Sequence, residues 1–166
     1  MTLRLKLALN DPTMGMLRDI VTSEKGRDKG LTEEIWAFRQ LRALAGNHAA
    51  AWRSIEAKGS WEGFSGGGRT MQVTRDALHE FPIDAGEGNF EVLIGDRLLL
   101  ALANTCALVE ATNRLQGRPV PWATAHEWLE RYLQETIIVE MAKVDTEDFN
   151  AEEGDLYSSP HKDEPK

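Results

Sequence analysis

Leucine stands at every second position from Leu3 to Leu9, with Arg4 and Lys6 between, the period of a strand that buries one face. Asn10-Asp11-Pro12 then supplies a helix start, and Met14, Leu17, Ile20 and Val21 follow at helical spacing as far as Lys25-Gly26. A second helix is predicted from Leu31-Thr32-Glu33-Glu34, with Thr32 as its cap and Ile35, Phe38, Leu41, Leu44 and Ala45 as its buried stripe. Gly46-Asn47 interrupts that helix, and His48, Trp52 and Ile55 carry the stripe on to Gly59. Residues 59–69 have the composition of a loop. Short strands are expected at 70–74 and 89–94, separated by about two turns of helix over 76–81 that Pro82 ends.

The strongest pattern lies further on, in two apolar blocks at 94–116 and 122–143, parted by Gly117-Arg118-Pro119-Val120-Pro121. The first block is apolar around nearly its whole circumference, which predicts a helix at the centre of a domain. In the second, Pro121 suits a first helical position, and Trp122, Ala125, Trp128, Leu129, Leu133 and Ile137 form a wide stripe. Together they predict a helical hairpin. The expected fold class is α+β, mostly α, with the central apolar helix of that hairpin packed against a small sheet and the earlier helices.

The chain has 166 residues, enough for one domain with a real core and no disulfide or structural metal. Its charge of −8 changes this picture at one end only: 145–166 holds eight of the 27 acidic residues and two of the 19 basic ones, a net of −6. Few apolar residues lie there to offset the entropy of ordering, so the expectation is a single globular domain over 1–144 followed by a disordered acidic tail over 145–166. The longest apolar run, Leu98 to Val109, is broken by Asn104-Thr105 and falls short of the roughly 20 residues that span a bilayer. The opening residues alternate leucine with charge, unlike a signal peptide, so a cytoplasmic protein without membrane association is expected. The lone cysteine, Cys106, sits in the apolar run and reads as a small core residue. Basic residues are scattered without an aromatic-basic stripe, which argues against nucleic-acid binding.

Candidate chemistry concentrates between residues 61 and 70. Gly63-Phe64-Ser65-Gly66-Gly67-Gly68-Arg69-Thr70 matches the phosphate-loop pattern G-x-x-x-x-G-K-[ST] with arginine in place of lysine. Gly66, Gly67, Gly68, Arg69 and Thr70 are therefore the candidate phosphate-binding residues, although no buried strand precedes them in the pattern. Trp61 and Phe64, with Arg69, are the residue types that anchor interfaces, and no helical or strand period carries them inward. His126 with Glu130, and Asp76 with His79, have helical spacing but form no metal motif; a site would need a carboxylate from elsewhere, such as Glu110. The expected function is a non-enzymatic interaction or regulatory protein acting through Trp61, Phe64 and Arg69, through the acidic tail, or through both. It needs no cofactor, and its partner is a protein or a second copy of itself. The alternatives are a small enzyme or binding protein for a phosphate-bearing ligand at 63–70, and a helical oligomer of structural use.

Overall fold

The computed structural model describes the backbone of residues 1–64 and 70–161, and side chains over 1–63 and 70–146. The fold is α+β and mostly α. In chain order the elements are β1 (Thr2–Leu7), α1 (Asp11–Glu24), α2 (Glu33–Asn47), α3 (Ala49–Lys58), β2 (Ser60–Phe64), β3 (Thr70–Thr74), a 3-10 turn (Arg75–Ala77), β4 (Phe90–Gly95), α4 (Asp96–Leu115) and α5 (Ala125–His161). Two compact units result. One comprises Met1–Leu9 with Glu34–Leu133, and the other comprises Asn10–Glu33 with the chain from Gln134 onward.

In the larger unit β1 and β4 pair antiparallel, with Leu5 opposite Val92 and Leu7 opposite Phe90. The leucine alternation of β1 turns Leu5, Leu7 and, just beyond the strand, Leu9 inward, while Phe90, Val92 and Ile94 do the same on β4. Past the last pair the ladder is continued by a side chain: Asn89 accepts the Leu9 N–H through Oδ1 at 2.9 Å and donates Nδ2 to the Leu9 carbonyl at 2.8 Å. On the outer edges, the Leu93 N–H donates to the Glu34 carboxylate at 3.0 Å and the Lys6 N–H to the Ala85 carbonyl at 2.7 Å. Gly88 lies against the Leu7–Ala8 backbone so closely that a Cβ there would overlap it.

Helix α4 touches α3, β3 and β4 and buries Leu102, Cys106, Leu108 and Ala111. Its N-terminal end is less enclosed than its apolar circumference predicts: Leu98 and Leu99 are half-buried and Leu100 is exposed. It ends at Leu115 with Gln116 as its C-cap, and Gly117 takes φ 70°, the left-handed conformation that glycine adopts freely after a helix. The next helix begins at Ala125, four residues after Pro121 rather than at it. A reciprocal cap sets this start, with the Glu127 N–H donating to Thr124 Oγ1 at 3.2 Å and the Ala123 N–H to Glu127 Oε2 at 3.0 Å. Trp122 is thus buried ahead of the helix, where Phe81 meets it edge-on at 5.4 Å and Trp128 at 6.1 Å.

Three further expectations are corrected. Ser60–Phe64, read as loop, is a strand paired antiparallel with β3, Trp61 opposite Val73 and Gly63 opposite Met71. The helix expected over 76–81 is only the 3-10 turn Arg75–Ala77, because Arg75 is drawn back: its N–H bonds the Gly59 carbonyl, and its guanidinium donates to the Ile55 carbonyl at 3.0 Å. In α2 the buried stripe starts with Trp36 and Ala37, while Ile35 is exposed and Phe38 half-buried under the Arg42 guanidinium.

In the smaller unit, the Asn10 side chain caps α1 by accepting the Thr13 N–H at 2.9 Å, and Leu17, Ile20 and Val21 are buried as their spacing predicts. Helix α5 buries Ile137 but leaves Ile138 and Val139 exposed. Its backbone continues past Val144 into the acidic segment as far as His161. Among the described residues no helix is long and apolar enough to cross a membrane.

Candidate functional site

A minor core forms where α3, β2, β3 and α4 meet. Ala51, Ile55, Val73, Leu108 and Ala111 are buried there, and Trp52, Trp61, Met71 and Leu78 pack against them. Trp61 is half-buried in this group. The alternation of β2 puts Gly63 on the same face, and the six-membered ring of Trp61 lies where a Cβ on Gly63 would be. Glycine in this strand is what lets the indole fold flat over the chain and reach the cluster. Phe64 closes β2 opposite Thr70, and its side chain lies outside the described residues, as do Gly66, Gly67, Gly68 and Arg69. The phosphate-loop string therefore joins two antiparallel strands. Thr70 opens a strand, whereas phosphate loops lead into a helix whose first N–H groups face the anion.

Beside this core is an open cleft of about 410 Å³. One wall is α4, contributing Leu100, Ala103, Asn104 and Ala107; Trp52 of α3 forms another, and the segment after the 3-10 turn brings Leu78, Phe81 and Pro82. Each wall is held by identifiable bonds. The Trp52 indole N–H donates to Glu56 Oε1 at 2.6 Å, and Phe81 is backed by Trp122. The segment is tied to α4 through the buried carboxylate of Glu110, which accepts Arg114 Nε at 3.0 Å and has His79 Nδ1 at 3.4 Å, while Arg114 also donates to the Ala77 carbonyl. A buried carboxylate needs such partners, since an unpaired charge there would cost several kcal/mol, on the order of 3. Leu100, on the α4 wall, is 64% exposed.

The sequence-level metal pairs have other employment. His126 Nε2 lies 2.9 Å from the Asp84 carbonyl and 3.2 Å from its carboxylate, and Glu130 accepts the Ala8 N–H at 2.8 Å. His79 does meet Glu110, but among the described residues no three histidine, cysteine or acidic side chains gather as a metal would require. Cys106 is fully buried, and burial, with the Glu110 carboxylate second, pushes its thiol from 9.0 up to about 12. It is a packing residue, not a nucleophile.

No protein-family model, no curated protein and no solved structure matches the chain. The cleft was not visible in sequence, because Trp52, Leu78, Phe81 and Leu100 come from three separate segments. The one local signal was Asn104, a polar residue interrupting the apolar run of α4, which now lies in the cleft wall.

Proposed function

We propose that the chain is a non-enzymatic protein-interaction or regulatory module. Its binding face is the cleft between α3, the 78–82 segment and α4, adjoining the β2–β3 hairpin that carries Trp61 and Phe64. The observation that carries this reading is Leu100, a large apolar side chain held largely in water at the lip of a cleft walled by Trp52, Phe81 and Leu78. Clustered apolar and aromatic side chains around a concavity are what anchor residues of a partner fill. The acidic segment from Asp145 would add a charged second contact, attractive to a basic partner surface.

Leu100→Asp tests the face. Because the residue is exposed, the substitution should change stability by no more than about 0.5 kcal/mol. Full-length protein and the Leu100→Asp variant are used as baits in parallel, with thermal melting of each. A partner retained by the wild type and lost by a variant of equal melting temperature supports the cleft. Equal retention by both refutes this face, and no partner retained by the wild type refutes the interaction reading. Trp61→Ala is the poorer probe, since its indole also packs on the minor core.

A further inference from the structure

Two stretches of the cleft wall carry polar groups that bond to no other described residue. Asn104 stands on the α4 wall among Leu100, Ala103 and Ala107, half-buried, and among the described residues its side-chain amide makes no hydrogen bond. Neither amide atom is sealed from solvent. On the 78–82 wall, the main-chain N–H and C=O groups of His79, Glu80 and Phe81 are likewise without a partner among the described residues. Three other polar side chains of the walls are tied down elsewhere: Trp52 Nε1 donates to Glu56, Arg75 to the Ile55 and Glu56 carbonyls, and His79 Nδ1 lies against Glu110.

Resting on the cleft as the binding face, we propose that its occupant is an extended peptide segment of the partner. One large apolar side chain of that segment seats among Trp52, Leu78, Phe81 and Leu100, and the N–H and C=O of a residue beside it are bound by the Asn104 amide. Complementarity of partial charge selects this occupant. An extended residue presents its N–H and C=O on the same side of the chain, and a carboxamide answers both, its oxygen accepting the N–H and its NH2 donating to the carbonyl. The protein already contains that arrangement, since Asn89 holds Leu9 in this way at 2.9 and 2.8 Å. A helical partner spends its N–H and C=O groups within its own helix and leaves the Asn104 amide and the 79–81 main chain unanswered. Polar groups covered without a partner oppose binding. An extended segment instead brings a free donor and a free acceptor with each residue. Asn104 is thus a specificity-determining residue that reads main chain, while the apolar walls read one side chain.

The test pans the full-length chain with a phage-displayed library of random dodecamer peptides, after depletion on the Leu100→Asp variant. Enriched peptides are synthesised with each amide in turn replaced by an ester, which removes one N–H, and their affinities for wild type, Leu100→Asp and Asn104→Ala are measured by calorimetry. The peptides should share one large apolar residue and bind Leu100→Asp at least about tenfold more weakly. Asn104→Ala should melt no lower than the wild type, because alanine is the better helix former, and should bind about three- to tenfold more weakly. One ester should weaken binding to the wild type by a similar factor and leave binding to Asn104→Ala unchanged, the coupling that a direct amide-to-amide contact requires. No peptide enriched on the wild type, equal affinity of Asn104→Ala, or esters that act alike in both backgrounds overturns the proposal. If a partner captured by the wild-type bait still depends on Leu100 in that case, the cleft stands as the binding face and only its extended occupant falls.

Discussion

Gly63→Ala offers a demanding check on the minor core, because the structure names the single side chain that opposes it. A Cβ at position 63 overlaps Cη2, Cζ2 and Cζ3 of Trp61, and these are the nearest atoms it meets. The ring must then lift from the strand and lose part of its packing on Ile55, Val73 and Leu108. Forcing an extra carbon into a packed site costs about 1–3 kcal/mol. Trp61→Ala should cost about 2 kcal/mol, roughly half the 3–5 expected of a fully buried tryptophan, because the ring is half-buried. In the Trp61→Ala background the obstacle is gone. Gly63→Ala should there be neutral or stabilising by up to about 0.5 kcal/mol, as alanine loses less backbone entropy than glycine in a strand. The two substitutions should therefore couple by about 1–3 kcal/mol in a double-mutant cycle measured by urea unfolding. In melting temperature, the penalty of Gly63→Ala alone is about 2–10 °C for a chain of this size. Equal penalties in both backgrounds would refute the account, since some group other than the indole would then be excluding the methyl.

Two other outcomes follow from single sites. The Cys106 thiol keeps its proton to about pH 12 in the folded chain, whereas in the unfolded chain it loses it near 9.0. Its contribution to stability is therefore complete below pH 9 and lost progressively between pH 9 and about 12. At pH 8 labelling by a thiol reagent should proceed only at the rate of unfolding; rapid labelling of folded protein would contradict the burial. Thr124→Ala removes the acceptor that caps α5 and should cost about 1 kcal/mol, read as a lower urea midpoint with unchanged m-value.

Elements with a full hydrophobic period were legible before any coordinates. Leu5 and Leu7, the α1 stripe with its Asn10 cap, and the run from Trp128 through Leu129 and Leu133 to Ile137 all lie where periodicity puts them. What was missed has a physical cause in each case. Strand β2 hides its alternation because the inward position after Trp61 is a glycine, whose contribution is the space it leaves for the ring. The segment after Thr74 has helical composition, but the Arg75 side chain and N–H are claimed by the end of α3, and the chain is drawn off the helical path. The α5 start is spelled in Thr124-Ala-His-Glu127, a capping-box sequence, whereas the expectation rested on Pro121 as a first helical position. Leu100 was assigned to the interior because a helix apolar all round gives no clue to which end lies outside. Trp61, read as a loop residue, lies in β2 and packs on the minor core, and the cleft needed three-dimensional proximity that one chain cannot spell.

The two hydrogen bonds on the outer edges of the β1–β4 pair govern how this protein can be approached. A sheet of two strands ordinarily offers two open margins, each a template for an incoming extended peptide or for edge-to-edge aggregation. Here a strand arriving at β4 would find the Leu93 amide already engaged by Glu34, and one arriving at β1 would find the Lys6 amide engaged by Ala85. To add itself, such a strand must first displace a carboxylate on one side or a backbone carbonyl on the other. Backbone pairing at Leu93 or Lys6 must therefore begin by breaking a bond, which pairing at an open edge does not require.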